Sequence, residues 1–304
     1  MRNRSELSYR GRFAPTPSGP LHFGSLVAAL ASFLEARSHG GEWLLRIEDV
    51  DPPREAKGAS VGIQRTLLAH GFEWDGEVVY QSRRGEAYQS ALERLIGAGD
   101  VYACACSRKR VSELALPGID GPVYPGSCRG RDAQATGALR LFLPARRVVF
   151  HDAWLGRVAC DIERECGDLT LKRADGVFTY QLAVVVDDAE QEITHVVRGA
   201  DLLTSTPRQI VLQQALGYPT PAYLHLPVVL DARGFKLSKQ TLAAALVDAE
   251  PLPALRLAGL FLGLPEIAVG GDPQAWLRTA TRLWPEVGTQ PLRGRKQART
   301  SACR

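Results

Sequence analysis

The stretch from Tyr9 to Arg37 constrains the fold more than any other. Tyr9-Arg10-Gly11-Arg12-Phe13-Ala14 reads as a short buried strand that stops at Pro15-Thr16-Pro17-Ser18-Gly19-Pro20. Gly24 to Arg37 then carries Ala and Leu at the spacing of an amphipathic helix. A strand turning tightly into a helix aims backbone N–H groups and a helix N-terminus at one point, which suits an anion such as phosphate. A second strand, Glu42–Ile47, ends in the acidic turn Glu48-Asp49-Val50-Asp51-Pro52-Pro53, and helices near Ser60–His70 and Glu86–Gly97 continue the alternation. That rhythm predicts a Rossmann-type α/β domain built on a parallel sheet.

Beyond residue 99 the rhythm breaks. Residues 100–189 hold cysteines, scattered prolines and short alternating runs such as Ala138–Leu143 and Val148–Asp152, which predicts an inserted, irregular subdomain. The α/β pattern resumes over 190–240 with a strand at Ile193–Arg198, a helix at Pro207–Leu216 and a strand at Tyr223–Leu230. Residues 1–99 and 190–240 are thus expected to be two halves of one catalytic domain. Residues 241–286 read as a small helical region in which Trp276 and Trp284 pack. Residues 287–304 read as a solvated, disordered tail.

Composition narrows the class. Hydrophobic residues at 45% and charged residues at 23% are ordinary for a soluble enzyme. The longest apolar run, Leu26–Leu34, is too short to cross a bilayer, and the first residues lack an apolar signal region. The expectation is a cytoplasmic monomer without membrane contact. The net charge of +4 is concentrated in the tail, where Arg293, Arg295, Lys296, Arg299 and Arg304 meet no acid. The body is therefore near neutral, and any RNA contact there requires a local patch.

Two segments far apart carry the chemistry. In Pro15-x-x-Ser18-Gly19-x-x-His22-x-Gly24-Ser25, the glycines allow a ligand close to the backbone and His22 supplies a donor for phosphate oxygens. Lys236-Leu237-Ser238-Lys239 places two ammonium groups on a Gly-containing loop, able to stabilise charge as pyrophosphate leaves. Either alone is weak evidence. Each at a strand end, on opposite halves of an α/β fold, they point to one ATP site. Separately, Cys104-x-Cys106 with Tyr124-x-x-x-Cys128 can set three thiolates and a phenolate around one structural Zn²⁺, although small apolar core cysteines remain an alternative. Cys160, Cys166 and Cys303 show no ligand spacing.

With these two segments the chain resembles the class I aminoacyl-tRNA synthetases. It departs from their usual signatures at Ser25, where a second histidine is usual, and at Leu237 and Gln240 of the lysine segment. Arg12-Phe13-Ala14-Pro15-Thr16-Pro17-Ser18-Gly19, Arg46-Ile47-Glu48-Asp49-Val50-Asp51-Pro52, Val184–Asp188 and Thr194–Asp201 are similar to the glutamyl and glutaminyl branch. The resemblance implies that Pro15, Gly19, His22, Gly24, Ser25, Lys236, Ser238 and Lys239 bind ATP with its Mg²⁺, with His22, Lys236 and Lys239 catalytic. It also implies that Arg12, Ala14, Thr16, Glu48, Tyr180 and Arg198 hold glutamate. The physics of the substrate agrees: Arg12 and Arg198 can fork onto carboxylates while Glu48 takes the ammonium. Members of this branch carry a similar Cys-x-Cys…Tyr-x-x-x-Cys pattern in the insertion.

A conventional glutamyl enzyme continues past its lysine loop into a large anticodon-binding region, for which residues 241–304 leave too little chain. The build resembles that of short paralogues of the glutamyl enzymes. It implies tRNA-independent activation of glutamate and transfer to the queuosine base in the anticodon of tRNA(Asp). Two alternatives stay open: a truncated enzyme charging the acceptor end of tRNA(Glu), and a non-catalytic RNA-binding paralogue.

Overall fold

Proline and glycine punctuation sets the boundaries in the computed structural model, which describes residues 8–51, 55–119, 121–230, 244–268 and 271–287. The first part of the chain forms β1 (Arg10–Phe13), α1 (Phe23–Ser38), β2 (Glu42–Ile47), α2 (Ala59–Ala69), β3 (Val79–Tyr80) and α3 (Gly85–Gly97). The middle forms β4 (Val101–Cys104), α4 (Arg108–Leu114), β5 (Leu116–Gly118), β6 (Gly121–Val123), β7 (Ala138–Leu141), β8 (Arg147–Asp152), β9 (Gly156–Asp161), β10 (Leu169–Lys172) and α5 (Tyr180–Glu190). Then come β11 (His195–Gly199), α6 (Thr206–Ala215), β12 (Ala222–Leu226), α7 (Pro251–Leu262) and α8 (Pro273–Leu283).

The parallel α/β architecture expected from the sequence is present. Strands β1, β2 and β3 pair in parallel, with Arg10 opposite Glu42 and Ile47 opposite Tyr80. A second group has β11, β12 and β8 in parallel, and β9 folds back antiparallel on β8. The two groups meet where β1 approaches the start of β11. There Thr194 N–H donates to Arg10 O at 3.0 Å, and Arg10 N–H donates to Thr194 Oγ1 at 2.9 Å.

Several elements differ from the sequence reading for physical reasons. The strand expected at Ile193–Arg198 starts at His195, because Thr194 spends its backbone N–H and hydroxyl on Arg10. The strand expected to reach Leu230 ends at Leu226, since Pro227 has no N–H to continue a ladder. Residues 100–189 are more regular than expected: β4, β7 and β10 form an antiparallel sheet, and Tyr180–Glu190 is a buried helix despite three successive valines. Burial on all sides outweighs the weak helix propensity of Val184, Val185 and Val186. Tail residues 288–304 lie outside those described.

The segment expected to be helical over 241–286 contains α7 and α8. Their apolar faces do not close a bundle of their own. Trp276 and Trp284 share one core with Leu26, Leu30 and Leu34 of α1. The Trp284 indole donates to Glu35 of the same helix. Burying side chains of this kind stabilises by roughly 1.5–3 kcal/mol each, so the terminal helices help hold α1, whose N-terminus borders the site.

Candidate active site

In open parallel sheets, ligands bind beyond the carboxyl ends of strands where the strand order reverses. The C-terminal ends of β1, β2, β11 and β12 open here on one cleft of about 600 Å³. Of the residues assigned to glutamate from the sequence, Arg12, Ala14, Thr16, Glu48, Tyr180 and Arg198 all line it. Of those assigned to ATP, Pro15, His22, Gly24 and Ser25 line it as well. Gly19 does not reach the wall. It is buried in the turn with φ of +142°, a conformation that favours glycine.

Lys236, Ser238 and Lys239 lie outside the described residues. The chain on either side of them borders the cleft, however. Val228 and Val229 line it, Ala245 bridges to His22, and Leu246 N–H donates to Leu21 O at 3.0 Å.

His22 caps α1. Its Nδ1 accepts from the Ser25 backbone N–H at 3.3 Å, which leaves the neutral ring's proton on Nε2 as a donor. The backbone at position 25 performs this cap, so the cap itself does not depend on which side chain stands there.

The carboxylates of the site divide by environment. Asp188, on α5, accepts from Arg12 Nε at 3.1 Å and from Arg46 Nη2 at 2.7 Å. Burial alone would raise its carboxyl, but Arg12 and then Arg46 outweigh it and hold the group below its usual range. Glu48 sits farther from Arg46, at 3.7 Å, and burial pushes its carboxyl up to about 7 against the pull of Arg46 and Arg12. One buried carboxylate is therefore locked as an anion by arginines, while the other is poised to change its proton when a cation arrives. The network runs on to Asp187, which takes hydrogen bonds from Gln81, Arg84 and Tyr88.

Arg198 is held on two edges. Its Nε donates to His225 Nε2 at 3.2 Å, and its Nη2 donates to Thr206 Oγ1 and Gln209 Oε1, each at 2.8 Å. Nη1 lies 3.5 Å from the Tyr180 hydroxyl on the cleft side. The sequence reading missed Arg46, Asp188, Asp152, His225, Thr206 and Gln209. It also missed Asp51 and Asp201, which line the cleft. The usable signal was a charge inside an otherwise apolar strand or helix, as for Arg46 in Trp43–Ile47.

The cysteines assigned from the sequence also converge. Cys104, Cys106 and Cys128 place their sulfurs within 4.8 Å of one another, with Cys106 and Cys128 at 3.6 Å. The Tyr124 hydroxyl lies 3.3 Å from Cys104 Sγ and 3.7 Å from Cys106 Sγ, and accepts from Cys128 N–H at 3.0 Å. The hydrogen bond to Tyr124 is the main influence drawing the Cys128 thiol down to about 7. Tetrahedral zinc with bonds of about 2.3 Å to sulfur spaces its sulfurs by about 3.8 Å, so the donor set and its spacing fit that ion.

Comparison with known proteins gives the chain a family. The family described as tRNA synthetases class I (E and Q), catalytic domain, matches residues 8–120 and 124–256. The glutamyl-Q tRNA(Asp) synthetase of Chromobacterium violaceum is 54% identical over 275 residues, spanning 90% of this chain and 92% of its own length. That of Dechloromonas aromatica is 57% identical over 277 residues, spanning 88% and 91%. Among solved structures, a glutamate tRNA ligase from Elizabethkingia meningosepticum, in complex with its amino acid, matches 77% of this chain with a TM-score of 0.68 at 28% identity. The chain spans about half of that ligase, 52% of its length.

Proposed function

Since the chain belongs to the glutamyl-Q tRNA(Asp) synthetases, within the glutamyl and glutaminyl class I tRNA synthetases, we propose that it activates glutamate with ATP, without tRNA, and passes the glutamyl group to the queuosine of tRNA(Asp). The observation that carries this reading is the single cleft where Arg12, Glu48, Tyr180 and Arg198 stand beside the His22-capped end of α1. Arg12 and Arg198 are matched to carboxylates, Glu48 to an ammonium, and the helix terminus to phosphates.

In the first step a carboxylate oxygen of glutamate attacks the α-phosphorus in line. The bond to the bridging oxygen breaks, and pyrophosphate leaves with the electron pair. In the second, a hydroxyl of the modified nucleoside attacks the adenylate carbonyl and gives up its proton to the departing phosphate or solvent. AMP leaves with the electron pair of the acyl–oxygen bond as the ester forms. No protein nucleophile is required, so positioning and charge stabilisation supply the rate. His22 donates through Nε2 to phosphate oxygens, Lys236 and Ser238 hold the triphosphate, and Lys239 meets the charge that develops on it. Mg²⁺ accompanies the ATP phosphates. A reducing, cytoplasmic setting suits Cys104, Cys106 and Cys128, which are not joined in disulfides. Among the described residues no helix is long and apolar enough to cross a membrane.

The test is glutamate-dependent ATP–pyrophosphate exchange without tRNA, followed by charging of tRNA(Asp) with and without queuosine and of tRNA(Glu). Exchange followed by charging only of queuosine-bearing tRNA(Asp) supports the reading, whereas charging of tRNA(Glu) at its acceptor end replaces it.

Glutamate binding is expected to depend on pH through Glu48. With its carboxyl at about 7, the group is largely protonated at pH 6 and must release a proton to take the ammonium. The glutamate KM should therefore rise about tenfold per pH unit below 7 and level off above it. Glu48→Gln should flatten that profile and raise the KM by about tenfold to a hundredfold, the worth of a charged hydrogen bond. Without ligand the sign is that of a raised carboxyl. Its contribution to stability, on the order of 3 kcal/mol, is complete below the unfolded value near 4.5 and is lost as the pH rises through about 7.

Cys104, Cys106, Cys128 and Tyr124 would hold one Zn²⁺ in a closed, structural set with no position for substrate. The ion would tie the loop between β6 and β7, which carries Tyr124 and Cys128, to the end of β4. Metal analysis of the purified protein should give about one zinc per chain. Cys128→Ser should lose it and lower the melting temperature by several degrees. Unchanged metal content would remove Cys128 from the set.

A further inference from the structure

Arg198 owes its orientation to a buried relay that reaches away from the cleft. Arg198 on β11 and His225 on β12 are direct partners in the parallel register, so their side chains rise from the same face of the sheet. Behind them Asp152, at the end of β8, pairs with β12 at Tyr223. Asp152, His225 and Thr206 are fully buried, and Arg198 is 5% exposed. One Asp152 oxygen, Oδ2, takes both His225 Nδ1 at 2.7 Å and His225 N–H at 3.1 Å. Its other oxygen is occupied by the backbone N–H groups of Trp154 and Leu155, at 3.0 and 2.9 Å. The carboxylate therefore has no room to rotate.

A guanidinium only donates, so the Arg198 Nε contact requires a lone pair on His225 Nε2. Asp152 provides that by accepting the Nδ1 proton, which selects the tautomer. Burial, opposed by Asp152, draws the His225 imidazole down to about 4, so the ring stays neutral beside the arginine. With Nε fixed by His225 and Nη2 by Thr206 and Gln209, the Nη1 corner is what remains turned towards Tyr180 and the cleft.

We propose that Asp152 and His225 are positioning residues for glutamate recognition, fixing one imidazole tautomer so that Arg198 is aimed at a substrate carboxylate. This rests on the reading that the cleft binds glutamate. Neither residue touches the substrate. Their effect is on how well a preorganised guanidinium meets its anion, so it falls on glutamate and leaves ATP alone.

The experiment compares His225→Asn with His225→Gln by ATP–pyrophosphate exchange, measuring KM for glutamate and for ATP, and by thermal melting. The asparagine amide reaches the Nδ1 position and keeps the Asp152 bond, but leaves Arg198 Nε without its acceptor. The longer glutamine can place an oxygen near the Nε2 position. His225→Asn should raise the glutamate KM about tenfold or more with the ATP KM changed less than twofold, and His225→Gln should recover most of that loss. Equal shifts in both KM values, a glutamate KM within twofold of the parent in a folded His225→Asn, or failure of both variants to fold would each overturn the proposal, the last by making the pair structural. If the parent protein itself shows no glutamate-dependent exchange, the reading of the cleft fails. Parent activity with insensitive variants removes this relay alone.

Discussion

Lys239→Ala is expected to slow glutamate-dependent ATP–pyrophosphate exchange by about a hundredfold or more. Pyrophosphate departs with growing negative charge. A fixed ammonium at that point acts only as the charge appears, so its loss falls on the chemical step. The lysine segment lies outside the described residues; before it Val229 lines the cleft, and after it Ala245 bridges to His22. The loss should appear mainly in kcat, with the glutamate KM nearly unchanged, because Arg12, Glu48 and Arg198 are untouched. Exchange at the parent rate would take Lys239 out of the mechanism.

Arg46→Met is expected to cost about 3–5 kcal/mol of folding stability, the usual loss when one partner of a buried ion pair is removed. Arg46 is fully buried and gives Nη2 to Asp188 and Nη1 to Gln191 Oε1 at 2.6 Å. Without it, Asp188 keeps, among the described residues, only the Arg12 side-chain contact in a site where burial already opposes its charge. Methionine fills much of the space, so the loss reports the uncompensated charge more than a cavity. Denaturant unfolding should show a lower midpoint with little change in slope. A difference below about 1 kcal/mol would mean that Arg12 alone suffices to compensate Asp188. Glutamate binding should weaken too, since Asp188 would then draw Arg12 more strongly from the cleft.

Local signals carried much of the fold. Pro15 and Pro17 after β1, and the Ala and Leu spacing of α1, placed those elements nearly to the residue, because each depends on neighbours in the chain. The strand after α6 was read four residues too long because its apolar run continues past Pro227, whose missing N–H ends the ladder. Helix α5 was hidden by its valines, which only burial against α3 and α6 makes helical. The site divides the same way. Arg12, Glu48 and Arg198 stood within motifs that resemble a known family, as did Arg46 and Asp188 without being assigned to the site, while Tyr180 came in with what that resemblance implies. Arg46 and Asp188, 142 positions apart, and Asp152 and His225, 73 apart, gain their meaning only when distant segments meet. No periodicity records such a meeting.

The seam where β1 lies against the start of β11 has a consequence for biogenesis. Arg10 and Thr194 join across 184 positions, and the cleft arginines Arg12 and Arg198 stand one on each side. While the chain is being made, an early fragment holding Arg12 and the histidine turn has half a mouth and nothing to close it. Amino acid recognition should therefore switch on in one step, when the late strands dock, without a weaker precursor on the ribosome.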